Sequence, residues 1–239
     1  MKVIPVAGTS GSGKTTFIRE LLPILSLHGP VGTVKHVGHH TMEVAEGKDT
    51  TVMFEAGARA VAGIDREKTV VTSRSTSVVD ALDILAGLGV AFVVVEGFKR
   101  SPWPKIVIGD LEAEAVLLRN PSPEEVIRNL GRFPDYVTLG GLLRELAEAC
   151  RERGQACIVA TATIPVPSGW RDDSLELPAL VTSMEALSGV IGARAAVRNG
   201  YLFGGTDEIL LAVAAVTGEE AASALQFAIS GCLEILGGT

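Results

Sequence analysis

The chain has 239 residues, 47% of them hydrophobic and 21% charged, with a formal net charge of −7 at pH 7. That composition is globular and long enough for one full α/β core plus a small appendage. Its acidity argues against broad nucleic-acid or anionic-membrane binding, while a local basic site for one phosphorylated ligand stays open. Aromatic residues make up only 5%, so Val, Leu, Ile and Ala must build the core. The three cysteines, Cys150, Cys157 and Cys232, have no metal-ligand spacing and suit free thiols in a reducing compartment. No charged-then-apolar leader precedes the first strand and no apolar run is long enough for a bilayer, so a cytoplasmic location is expected.

In chain order, Val3–Ala7 is a short apolar strand. Gly8-Thr9-Ser10-Gly11-Ser12-Gly13-Lys14-Thr15 follows it and fits G-x-x-x-x-G-K-[ST] at every specified position. The residues from Thr16 onward can run as a helix, with Phe17, Leu21, Leu22 and Leu25 inward, a kink or early end at Pro23, and a firm stop at Gly29-Pro30. Val31–Lys35 reads as a strand and His36–Lys48 as a loop at the ligand edge of the sheet. Asp49–Gly57 reads as a helix with Val52, Met53 and Ala56 on one face. Ala60–Ile64 and Thr69–Thr72 are strands joined by the charged turn Asp65–Lys68, and Ser77–Leu88 is an amphipathic helix. Phe92–Val95 is a strand apolar on both faces. Lys105–Ile108 and Ala115–Leu118 are further strands, and Pro123–Leu130 and Leu139–Arg153 are helices.

Strand and helix alternate from Val3 to about Arg153, which predicts an α/β fold with a mostly parallel sheet covered on both faces. The remainder reads differently. Ala156–Ile164, Ala193–Phe203 and Glu208–Val216 are expected strands, and Thr182–Ile191 and Gly218–Leu236 expected helices. In the last helix Ala221, Leu225, Ile229, Leu233 and Leu236 are expected inward. The reading is a nucleotide-binding domain over 1–160 and a small α+β domain over 161–239.

The glycine-rich loop carries the chemistry. Its glycines let successive N–H groups turn inward as a nest for phosphate oxygens, and the following helix adds unpaired amides and a positive dipole end. Gly8, Thr9, Ser10, Gly11, Ser12, Gly13, Lys14, Thr15 and Thr16 are the phosphate-binding candidates. Lys14 would reach the β- and γ-phosphates, and Thr15 would ligate Mg²⁺. The second acidic ligand is expected at the end of a neighbouring buried strand, where Glu96 stands. One methylene longer than the usual Asp, Glu96 can act through a water or on the attacking water instead.

Lys35 and His36 end a strand at the same edge, where Lys35 can meet a phosphate, Glu96 or solvent. His36, His39 and His40 can offer imidazoles to a metal, hydrogen-bond phosphates or shape a loop. Asp49 can cap its helix, contact Mg²⁺ or act on the attacking water. Lys99 and Arg100 can neutralise phosphate charge, bind a second anion or form a solvated basic turn. No N-K-x-D or T-K-x-D sequence occurs, so the base is not readable from these motifs.

Together, Val34-Lys35-His36 with His39-His40, Gly47-Lys48-Asp49, Ala56-Gly57-Ala58, Val95-Glu96-Gly97-Phe98-Lys99 and Lys105-Ile106-Val107 resemble the molybdopterin–guanine dinucleotide biosynthesis protein B (MobB) family over roughly residues 1–155. The resemblance implies a P-loop NTPase fold, GTP as ligand, weak GTPase activity and a homodimer. It also implies assistance to a MobA-like guanylyltransferase acting on molybdopterin or its carrier protein. By the same resemblance Gly8–Thr16 hold phosphates and Thr15 and Glu96 the magnesium, and Lys14, Glu96 and Asp49 stand nearest any catalysis. Lys35, His36, His39, His40 and Lys99 fall on matched positions around the site.

Val197–Leu202, Glu208–Val216 and Gly218–Ile229 resemble the end of molybdopterin synthase large subunits, the MoaE family. Val197 and Thr217-Gly218 replace that family's histidine and His-Arg pair, and its catalytic lysine has no counterpart, which implies a non-catalytic part. The alternative to the accessory reading is a nucleotide-dependent metal chaperone using His36, His39 and His40.

Overall fold

The computed structural model describes residues 1–37, 49–167, 176–198, 200 and 206–237. Among them, five strands form a wholly parallel sheet in the order β2-β5-β1-β6-β7: β1 (Lys2–Gly8), β2 (Val31–Lys35), β5 (Phe92–Glu96), β6 (Lys105–Ile108) and β7 (Val116–Arg119). β1 is central because it is apolar on both faces. Ile4 and Val6 pack with α1 (Lys14–Ser26) and α4 (Pro123–Arg128). Val3 packs on the opposite face with Val93, Val95, Trp103, Tyr136 and Leu82 of α3 (Val78–Gly87).

α1 runs through Pro23 to Ser26 instead of ending there. Pro23 is exposed, whereas Leu21 and Leu25 on either side are buried. The carbonyl that loses its helical bond can face water, and the buried leucines hold the helix together.

α2 (Asp49–Glu55) is shorter than expected and presents a different face. Thr51 is its buried residue, while Val52 and Met53 are 55% and 58% exposed. It lies on the antiparallel hairpin β3 (Ala60–Ile64) and β4 (Thr69–Ser73), which stands apart from the main sheet. Asp65 closes the hairpin by accepting bonds from the amides of Glu67 and Lys68, each 2.8 Å.

A second sheet, antiparallel in the order β8-β10-β9, comprises β8 (Ile158–Pro165), β9 (Val190–Arg198) and β10 (Glu208–Ala215). Residue 160, where the sequence suggests a division, lies inside β8. α5 (Leu139–Glu152) covers one face of this sheet, and α6 (Leu177–Glu185) and α7 (Gly218–Gly237) cover the other.

The expected helix at 182–191 is displaced toward the N-terminus. Gly189, at φ +75°, turns the chain, and Val190 onward is claimed by pairing with β10. The buried stripe of α7 is Ala221, Ala224, Ala228 and Cys232, with Leu225, Ile229 and Leu236 partly buried beside it and Leu233 exposed. Small side chains at these positions let the helix approach the sheet closely, so size overrides hydrophobicity.

Cys150 and Cys157 are not free thiols: they form a disulfide across the turn at Gly154, with Cα atoms 6.5 Å apart. Cys232 is free and buried, and burial raises its thiol pKa. The two sheets are tied through α3. Arg144 of α5 donates to the carbonyls of Ala86 and Gly87, and the Tyr136 hydroxyl donates to Asp83 at 2.8 Å. Among the described residues, no helix is long and apolar enough to cross a membrane.

Candidate functional site

The glycine-rich loop leaves the C-terminal end of β1 and enters α1 directly, at the edge where ligands gather in open parallel sheets. Gly13 at φ +90° and Gly11 at φ +75° adopt left-handed backbone that costs glycine little. Gly8 is needed for a different reason: a Cβ there would lie 2.5 Å from the carbonyl oxygen of Ile108 and 2.6 Å from Ser12 Oγ. No side chain caps α1 and no acidic residue stands in its first turn, so its leading amides and dipole end remain available to an anion. Ser12 Oγ is buried without a hydrogen-bond partner among the described residues, a further polar group inside the loop that a phosphate could satisfy.

Lys14 folds over the loop and donates to the carbonyl of Thr9 at 2.5 Å. Desolvation holds its pKa below the ordinary lysine value. Glu96 opposes that shift, and the positive charges of Lys99 and Lys35 reinforce it. Those four groups therefore feel one another, although they come from α1, β2, the end of β5 and the turn after it.

β5 pairs with both β1 and β2, with Glu96 in register with Val6 and Lys35. Lys35 Nζ stands 4.0 Å from Glu96 Oε2, and the Glu96 side chain is 18% exposed. Among the described residues, the charges that act on Lys14 are one carboxylate, Glu96, and two ammonium groups, Lys99 and Lys35.

Gly97, at φ +115°, lets the chain turn beside β2, since a Cβ would meet that of His36 at 2.8 Å. His36 stacks on Phe98 with ring centroids 4.5 Å apart, and Phe98 in turn tilts against the buried Trp103. His36 thus shapes the turn that carries Lys99. His39 and His40 lie outside the described residues, and among those described no group of three or more His, Cys, Asp or Glu could hold a metal ion. Asp49 opens α2 and is exposed; among the described residues nothing bonds it to the loop.

One buried charge beneath the site escapes sequence reasoning. Lys105, the first residue of β6, is 1% exposed. Its ammonium donates to the carbonyls of Ser101 at 2.5 Å and Lys99 at 3.4 Å, and desolvation lowers its pKa. A lysine opening an otherwise apolar strand is the signal that could have exposed it, because a charge in a core needs a polar partner.

The donor set suits a hard cation. The Thr15 hydroxyl in α1 and the Glu96 carboxylate at the end of β5, a strand beside β1, are oxygen donors of the kind that could hold Mg²⁺. Neutralisation of developing phosphate charge is the chemistry that the ion would supply.

Residues 3–127 match the family model for molybdopterin guanine dinucleotide synthesis protein B. The chain is 37% identical over 128 residues to the molybdopterin-guanine dinucleotide biosynthesis adapter protein of Haemophilus influenzae, covering 51% of this chain and 68% of that protein. It is 35% identical over 119 residues to a probable adapter protein of the same name from Bacillus subtilis, covering 46% and 69%. Among solved structures, Bacillus subtilis MobB is 30% identical, with 50% of this chain and 77% of that one covered and a TM-score of 0.42. With its phosphate loop, its parallel sheet and a family match over more than half its length, the chain belongs to the molybdopterin guanine dinucleotide synthesis protein B family.

Proposed function

We propose that this protein binds GTP with Mg²⁺, hydrolyses it slowly, and acts as an accessory protein in molybdopterin guanine dinucleotide biosynthesis. Its partner would be a MobA-like guanylyltransferase acting on molybdopterin or its carrier. The observation that carries this reading is the convergence of Lys14, Lys35 and Lys99 with Glu96 around an uncapped helix start. That charge distribution suits a polyanion coordinated with a divalent cation. The adapter names of the Haemophilus influenzae and Bacillus subtilis relatives support the pathway.

Slow turnover is expected because nothing among the described residues singles out one arginine or glutamine for the reacting phosphate or the attacking water. Arg74, one conceivable charge donor, stands over the Phe54 ring at 4.4 Å and donates to the carbonyls of Phe54 and Ala58. The two glutamines, Gln155 and Gln226, belong to the C-terminal part of the chain, so neither flanks the loop to orient water. Calorimetry with GTP and ATP in excess Mg²⁺, followed by phosphate release, tests the reading. Binding of GTP with turnover far below that of a dedicated NTPase is expected. No binding of either nucleotide overturns it.

We further propose a homodimer formed through α2 and the β3–β4 hairpin, where Met53, Ile64, Val70 and Val71 are all more than half exposed. Sedimentation of an Ile64→Asp, Val71→Asp variant tests this: a dimer that becomes a monomer supports the proposal, and an unchanged sedimentation coefficient refutes it. The MoaE-like sheet is proposed as a non-catalytic docking part, a reading supported by Arg198, whose guanidinium is already paired with Glu208.

A further inference from the structure

We propose that Asp110 and Asn120 form the nucleobase site of this protein and select guanine. The proposal rests on the nucleotide-binding reading above and names the residues that read the base. Two groups suited to the terminal phosphates and cation, Lys35 and Glu96, lie on the β5–β2 side of the phosphate loop. A nucleotide whose phosphates point there directs its nucleoside the other way, over the C-terminal ends of β6 and β7. Those ends are joined to the loop. Gly109, which follows β6 at φ +80°, approaches Ser12 so closely that a Cβ would lie 3.2 Å from that of Ser12.

The backbone on either side of Asp110 is held by the end of β7. Asn120, at φ +46°, accepts the Gly109 N–H on Oδ1 at 2.6 Å, and its own amide donates to the Val107 carbonyl at 2.9 Å. Arg119 donates to the carbonyls of Gly109 at 2.8 Å and Leu111 at 3.1 Å. Three side-chain bonds from two consecutive residues therefore brace the turn around one exposed carboxylate, which has no partner among the described residues. A fixed turn presenting an unpaired acceptor is a preorganised reader.

The chemistry of that acceptor chooses the base. Guanine offers two adjacent donors, N1–H and the 2-amino group, which match the two oxygens of a carboxylate. Adenine presents the N1 lone pair at that edge and would be repelled. Because the Asn120 oxygen is engaged by Gly109, its amide nitrogen remains as a donor for the guanine O6 or N7. This chain thus carries an Asp and an Asn on two adjacent strand ends, where other guanine readers place them in one short motif.

The test measures GTP, ATP and xanthosine triphosphate binding by calorimetry, with Mg²⁺, on the full chain and its Asp110→Asn, Asn120→Ala and Lys14→Ala variants. Wild type should prefer GTP to ATP. In Asp110→Asn, GTP affinity should fall about tenfold or more. Affinity for xanthosine triphosphate should rise, because its C2 carbonyl accepts from the new amide. Asn120→Ala should weaken GTP in the same direction without favouring the xanthine base. If Lys14→Ala abolishes binding while Asp110→Asn leaves the GTP-to-ATP ratio unmoved, the base is read elsewhere and only this inference falls. Equal wild-type affinity for GTP and ATP also overturns it. If wild type binds no nucleotide, the nucleotide reading itself falls with it.

Discussion

The two sheets of this protein treat charge in opposite ways. In the parallel sheet, Lys14 feels the charges of Lys35 and Lys99 and of Glu96, and Glu96 stands 4.0 Å from Lys35. In the antiparallel sheet, Arg194 is met by Glu145 at 3.0 Å and by Glu185 at 3.6 Å, and Arg198 is bound by Glu208. Charges already matched within the fold stabilise it and have little left for a ligand. Charges left without a matched partner are open to a bound polyanion; at Lys14 desolvation is the main cause of the lowered pKa, with Lys99 and Lys35 adding to it against Glu96.

The contrast breaks most sharply at Lys14. Lys14→Ala should abolish nucleotide-induced thermal stabilisation while leaving the unliganded melting temperature within a few degrees, because among the described residues Lys14 bonds a loop carbonyl alone. A mutant that still shifts with GTP would mean that the charge at Lys14 serves something other than phosphate.

Lys105 sharpens the comparison from beneath the site. Lys105→Met keeps the volume and removes both bonds to the turn, leaving the carbonyls of Ser101 and Lys99 short of a donor at about 1–3 kcal/mol. Trypsin should then cut faster after Lys99 and Arg100, and GTP affinity should fall with the turn. Lys105→Arg should restore part of both. The sign of the pH dependence is also fixed. A lysine whose folded pKa is depressed binds fewer protons folded than unfolded, so stability rises with pH between the folded pKa and about 10.5. That rise should shrink in Lys105→Met. Unchanged proteolysis and an unchanged pH profile would refute the clamp.

These two lysines also mark what the sequence could reveal. Lys14 was legible because the loop's requirements lie in eight consecutive residues, and Glu96 because it ends an apolar run. Lys105 was not, since its partners are carbonyls brought over it by the chain's own return through Trp103. Asn120 and Arg119 were equally hidden, because their bonds reach back across 8 to 11 residues to a turn with no pattern of its own. The α7 stripe was legible in part: Ala221, Leu225, Ile229 and Leu236 do meet the core, whereas Leu233 is exposed and close packing on the sheet also selects Ala224 and Ala228. The disulfide depends on Gly154 turning α5 back toward β8, a tertiary event that cysteine counting does not see.

Arg198 supplies the matched-charge arm of the comparison. Arg198→Met should lower stability by about 1–3 kcal/mol, since it strands a partly buried Glu208. Chemical denaturation would measure this. The same variant should leave GTP affinity within twofold, because the pair lies in the other sheet. A large loss of affinity would instead couple the two sheets through Tyr136 and Asp83, whose charges and hydrogen bond Arg198 feels.

The smallest effect belongs to the hairpin that stands apart from both sheets. Asp65 accepts two backbone amides, and those bonds hold its carboxyl pKa below the usual 3.8. A depressed carboxylate pKa contributes stability that is present above the unfolded value and lost as pH falls through the folded one. Because the turn is fully exposed, this should appear only as local opening. Hydrogen exchange at Glu67 and Lys68 should speed up in Asp65→Asn, with the global melting temperature unmoved. Acidification below the carboxylate range should abolish the difference between variant and wild type. If global stability falls with Asp65→Asn, the hairpin is not an independent element. It would then cooperate with the parallel sheet, and the proposed dimer contact would be inseparable from the nucleotide site.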